Sequence, residues 1–170
     1  MRPDPIIVTL QLDEMSAGFF ERARQTHFPP SLNKVPAHLT LFHALPGDDP
    51  EAIVRAFAPA VQRAPFSIAV EGVMPLGRGV AYRLASPELA ALRAALAAPF
   101  AGQLTGQDRA GFRPHITVQN KVTKAAARET LMQLSEAFSP FDAVAEGLQL
   151  WFYRGGPWAP FAAMPFARST

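Results

Sequence analysis

One short pattern, present twice, constrains this chain more than any other feature. His38-Leu39-Thr40-Leu41 and His115-Ile116-Thr117-Val118 each set a histidine and a threonine two residues apart inside an apolar, β-prone run, 77 positions apart (115 − 38). Successive side chains on a pleated strand leave opposite faces, so each motif shows one imidazole and one hydroxyl on one face and its aliphatic residues on the other. Two half-structures that face each other across a cleft would bring all four polar groups together.

The flanking sequence repeats as well. Ile6 to Leu12 reads as an apolar interior strand, and Phe19, Phe20 and Ala23 at helical spacing predict a helix over about 13–25. A loop rich in Pro and Asn, 27–37, then leads into the first motif strand, His38 to Ala44. Asp49-Pro50-Glu51 and Ser86-Pro87-Glu88 share the order of cap, proline and acid that opens a helix, predicting helices to about Arg63 and Ala98. Between them, Phe66–Val73 and Gly79–Ala85 read as an antiparallel pair. The glycine-containing stretch 100–114 reads as loop and leads into the second motif strand, which runs to about Val122. A helix capped by Thr123 and strands over about 142–153 and 160–167 complete the chain. The expected fold is α+β: a single domain over 1–170 with internal duplication, bilobal, with two pseudo-symmetric lobes of mixed or antiparallel sheet flanked by helices around a central cleft.

At 170 residues the chain can bury one core but not two ordinary independent domains. A net charge of +2 does not by itself announce a nucleic-acid partner. Cysteine is absent, which excludes disulfides, thiolate nucleophiles and cysteine-ligated zinc. Residues 1–12 lack the basic stretch and long apolar core of a signal peptide, and no window approaches a membrane span, so the expectation is a cytoplasmic monomer with no membrane partner.

Strict alternation assigns neighbours to the two pairs. Phe42 leaves its strand with His38 and Thr40, and Gln119 leaves with His115 and Thr117; His43 takes the opposite face and reads as structural, and His27 as a loop residue. Two imidazoles that exchange protons near neutral pH supply a base for an attacking hydroxyl and an acid for a leaving oxygen. Two threonine hydroxyls can hold the non-bridging oxygens of a phosphodiester, where charge builds in the transition state. No third ligand accompanies the histidines, and no Walker loop, dinucleotide fingerprint or nucleophile elbow occurs, so neither metal nor cofactor is expected.

The paired motifs resemble those of the 2H phosphoesterase superfamily, and the small bacterial branch of 2′–5′ RNA ligase-like and cyclic phosphodiesterase proteins is the most similar. The resemblance implies a bilobal α+β fold, catalytic His38 and His115, and Thr40 and Thr117 on the substrate phosphate. It also implies as partner an RNA end or small nucleotide with a cyclic or 2′–5′ phosphate. Some members carry a basic residue soon after the second motif; here Gln119-Asn120 precede Lys121, leaving Arg113, Arg78 or Arg83 as other candidates to neutralise phosphate. Phe42, Phe112, Tyr82, Trp151 and Tyr153 are candidates to stack on a base. The alternative reading is a non-catalytic RNA- or nucleotide-binding module that uses the same cleft.

Overall fold

A computed structural model describes residues 3–168. Seven strands, β1 (Ile6–Leu12), β2 (Leu39–Leu45), β3 (Phe66–Pro75), β4 (Val80–Ala85), β5 (His115–Gln119), β6 (Phe141–Phe152) and β7 (Ala159–Pro165), form one antiparallel sheet in the order β1-β2-β5-β4-β3-β6-β7. β1 also pairs with β6, so six of the strands close into a ring. The long β6 makes this possible: one of its edges takes β1, and the other is shared by β3 over Phe141–Ala145 and β7 over Gly147–Phe152.

The helices are α1 (Glu14–His27), α2 (Pro50–Phe57), α3 (Pro87–Ala97), the short α4 (Gly106–Arg109) and α5 (Lys124–Ala137). Their starts follow the local signals. Asp13, Asp49, Ser86, Thr105 and Thr123 each accept a hydrogen bond from the backbone N–H three residues on, satisfying a donor that the first turn leaves unpaired. Three features differ from expectation. The second motif strand, expected to run to about Val122, ends at Gln119. The helix after Asp49 ends at Phe57 and continues as a 3₁₀ turn over Ala58–Val61, because Pro59 cannot donate to an α-helical ladder. Within 100–114, expected to be loop throughout, Thr105 caps α4.

α1 lies against β5, and α5 against β3 and β4. The core is Ile6, Val8, Leu10, Phe20, Leu39, Leu41, Phe42, Ile53, Phe57, Ile68, Leu84, Leu89, Ile116 and Val118 with their neighbours, all nearly inaccessible to solvent. Truncating such a residue to alanine costs about 2–5 kcal/mol, so this layer holds the two motif strands rigidly.

Candidate functional site

The motif strands β2 and β5 lie side by side but bridge at one point only, Leu39 opposite Ile116. Counting outward from that antiparallel pair sets His38 opposite Thr117 and Thr40 opposite His115, on the face away from the buried Leu39 and Ile116. The four polar residues make a square with the imidazoles on one diagonal. Diagonal neighbours on paired strands stand about 7–8 Å apart at the backbone, near enough for both rings to line one cleft.

The rings are held alike. Nδ1 of His38 lies 2.7 Å from the carbonyl oxygen of Pro36, and Nδ1 of His115 lies 2.7 Å from that of Arg113. A carbonyl only accepts, so each Nδ1 carries the proton and donates it, and each Nε2 is the free ring nitrogen. Burial pushes the pKa of His38 down to about 4, against the opposing pull of the Pro36 carbonyl and with smaller contributions in the same sense from Arg24, His43 and His115. Its imidazole is therefore neutral at pH 7, with an unprotonated Nε2. The ring also packs on Trp158, centroids 4.6 Å apart.

Beyond the single bridge the two strands separate, and the backbone groups they expose find other partners. Arg93 of α3 donates to the carbonyl of Leu41 at 2.8 Å and to that of Asp108 at 2.7 Å; Arg24 of α1 donates to the carbonyl of Thr117 at 2.9 Å and to Asn33. Each guanidinium lies over a phenylalanine ring, Phe42 for Arg93 and Phe28 for Arg24. The arrangement crosses over, since α1, which precedes the first motif, steadies the second, and α3, which lies between the two motifs, steadies the first. The Asp108 carboxylate, 1% exposed, accepts from the backbone N–H of His43 and of Ala44 at 2.8 and 3.0 Å, and its Oδ1 lies 3.1 Å from Nδ1 of His43. A buried carboxylate thus stands in for a missing strand partner.

Both motif strands carry a β-bulge just after the threonine. Thr40 pairs with Thr9 but Phe42 with Val8, skipping Leu41; Thr117 pairs with Ala81 but Gln119 with Val80, skipping Val118. One extra residue reverses the faces of all that follow. Three face assignments from strict alternation are corrected by this. Phe42 points into the core, fully buried against Phe57. Gln119 points away from the cleft and donates to Thr130 of α5 at 2.8 Å. His43, expected on the far face, lines the cleft with its Nε2 free.

The cleft has a volume of about 380 Å³, and His38, Thr40, His43, Phe112, Arg113, His115, Thr117 and Trp158 are among its lining residues. Arg113 and Phe112, offered by the sequence as candidates to neutralise phosphate and to stack on a base, thus lie on the cleft wall. Tyr82 does not: it pairs with Ile116, shares its inward face, and packs against Phe19, Phe20 and Phe138. Lys121 sits outside the cleft in the turn after β5, with a left-handed φ of 62°. Arg78 is tied to the carbonyl of Val122, the guanidinium of Arg83 lies over Gly72, and His27 lines a groove between α1 and α5. Tyr153 is exposed outside the cleft. Sequence reasoning missed Trp158, Asp108 and the two helix arginines. Only Trp158 left a local signal, an aromatic ring directly after the Gly155-Gly156-Pro157 turn.

Among the described residues no cluster of three or more His, Cys, Asp or Glu side chains could hold a metal ion, and no helix is long and apolar enough to cross a membrane. The ring-closed antiparallel sheet sets two histidines and two threonines across the adjacent strands β2 and β5. The family model described as the 2′-5′ RNA ligase superfamily matches residues 12–157, and the chain belongs to that superfamily. Solved structures share the fold over essentially their whole length. A protein described as a phosphoesterase is 19% identical with a TM-score of 0.64, covering 98% of this chain and 99% of its own. LigT from Escherichia coli, in complex with 3′-AMP, is 18% identical with a TM-score of 0.61 over 98% and 99%. A Thermus thermophilus protein is 18% identical with a TM-score of 0.60 over 100% of both chains. No curated protein matches the chain in sequence.

Proposed function

We propose that this protein is a metal-independent phosphodiesterase that acts on 2′,3′-cyclic phosphate ends of RNA or nucleotides, or on 2′–5′ phosphodiester linkages, by two-histidine acid–base catalysis. The observation that carries the reading is the diagonal placement of two imidazoles, each with Nδ1 committed to a carbonyl and Nε2 free, on the wall of one cleft. His38, held neutral by burial, is the base: its Nε2 takes the proton of the attacking water or hydroxyl. His115 is the acid, and gives the proton from its Nε2 to the leaving oxygen as the P–O bond breaks. Thr40 and Thr117 donate to the non-bridging oxygens, where negative charge grows. Arg113 at the rim balances part of that charge. After one turnover the two rings have exchanged protonation states, and the same groups run the reverse reaction, ligation through a 2′–5′ bond.

Structures of LigT complexed with 3′-AMP, with ATP and with phosphate are consistent with a nucleotide or RNA end as the partner. The two-fold relation of the motifs supports reading the chain as one domain of two duplicated halves, and catalysis requires no second copy. The deciding experiment incubates the protein with 2′,3′-cyclic nucleotides, cyclic-phosphate-ended RNA and 2′–5′ dinucleotides, with and without chelator, and resolves the products by position of the phosphate. Turnover that persists in chelator and is lost in His38→Ala and His115→Ala is the expected result. Nucleotide affinity without product would establish a binding module instead, and turnover abolished by chelator would refute the metal-free mechanism.

A further inference from the structure

A second cavity adjoins the cleft. It has a volume of about 250 Å³ and is lined by Thr9, Lys34, Pro36, Gln149, Trp151 and Trp158, among others. The two cavities share His38 and Trp158, so the candidate base and the indole packed on it form the wall between them. The strand register shows that they open on one continuous face. Thr9 of β1 pairs with Thr40 of β2 on one side and with Gln149 of β6 on the other, and residues paired across a sheet share a face. Gln149, Thr9, Thr40 and His115 therefore form one polar row across four strands, about 14 Å long at three strand spacings of about 4.8 Å. Trp151, paired with Ile7, stands beside that row.

The second cavity presents aromatic surfaces and a cation to the same space. Trp151 is fixed by its indole N–H, which donates to Thr9 Oγ1 at 3.0 Å, and its ring lies 6.1 Å from that of Trp158, so two aromatic surfaces face the space. Opposite them the segment 34–37, which leads into the first motif, contributes the exposed Lys34. Indole rings take any base by its π face, and an ammonium beside them meets the next phosphate along a strand. A cyclic mononucleotide held between His38 and His115 would fill only the first cavity.

We propose that the cavity of Lys34, Gln149, Trp151 and Trp158 is a subsite for a second nucleoside of the substrate, so that the preferred substrate is a diester flanked by two nucleosides rather than a cyclic mononucleotide. This rests on the catalytic reading above, but it can be tested apart from it. The chain has only two tryptophans, and both line this cavity. In the double variant Trp158→Phe, His115→Ala the one remaining indole, Trp151, touches the second cavity and not the first.

Titration of that variant with 2′–5′-linked diadenosine monophosphate should change the Trp151 fluorescence, and 2′,3′-cyclic AMP should not. In otherwise wild-type protein, Lys34→Ala and Trp151→Ala should raise KM for the dinucleotide, by about 10-fold for Trp151→Ala, while leaving the kinetics on 2′,3′-cyclic AMP unchanged. Lys34 is exposed, so its variant keeps the test open if Trp151→Ala fails to fold. No fluorescence response to the dinucleotide, or equal shifts in KM for both substrates, would overturn the subsite and leave the catalytic reading standing. A response to the dinucleotide alone, with no turnover of either compound by the wild-type protein, would sustain the subsite and overturn the catalytic reading.

Discussion

His38 should make this protein lose stability on mild acidification, in an amount that follows from its surroundings. The folded chain holds the ring at a pKa of about 4, chiefly through burial, whereas the unfolded chain titrates at 6.5. The sign follows from proton counting. Between pH 6.5 and about 4 the unfolded state binds a proton that the folded state refuses, so the stability present above 6.5 falls away as the pH is lowered and levels off below about 4. The gap of about 2.5 between the two values, at 1.36 kcal/mol for each, amounts to about 3 kcal/mol, of which about 2 kcal/mol is already lost at pH 5. These are upper values, because the ring keeps some contact with solvent.

The measurement is urea denaturation at pH 7.5 and pH 5 for the wild type and His38→Gln. His27, whose pKa burial also lowers, contributes in the same direction to both proteins and cancels in the comparison. The wild type should lose up to about 2 kcal/mol more than the variant across this interval. Equal losses would show that the ring is not held neutral by the fold, and would remove the physical basis for assigning it as the base. The same depressed pKa places the acid limb of kcat/KM below pH 6.5, which a pH–rate profile checks independently.

Three other perturbations test separate parts of the structure. Thr40→Val and Thr117→Val should each lower kcat about 10- to 1000-fold with little change in KM, and an effect confined to KM would mean that the hydroxyls bind substrate and transition state alike. Asp108→Ala strands the backbone N–H groups of His43 and Ala44 and should cost about 2–5 kcal/mol in denaturation, with Asp108→Asn milder because an amide oxygen still accepts; a neutral alanine variant would show that water satisfies both donors. Gly79→Ala would set a Cβ 2.0 Å from the carbonyl oxygen of Gln119, where only backbone can yield, and should lower stability by about 1–3 kcal/mol; an unchanged Tm would mean that β4 and β5 separate there at no cost.

The sequence by itself determined the elements and the chemistry they carry. Caps at Asp49, Ser86 and Thr123, the prolines beside them and the apolar runs act over a few residues, and local signals of that kind also identify His38, Thr40, His115 and Thr117 as two matched polar pairs. What surrounds those pairs was decided by the tertiary structure. A bulge is a count of residues against a partner strand, so nothing within Leu41-Phe42-His43 or Val118-Gln119 reveals that Phe42 and Gln119 turn inward while His43 turns to the cleft. Arg24, Arg93 and Asp108 carry no local signature either. They are placed where β2 and β5 diverge, because carbonyl and N–H groups left unpaired in a dry interior must find partners from wherever the fold can bring them.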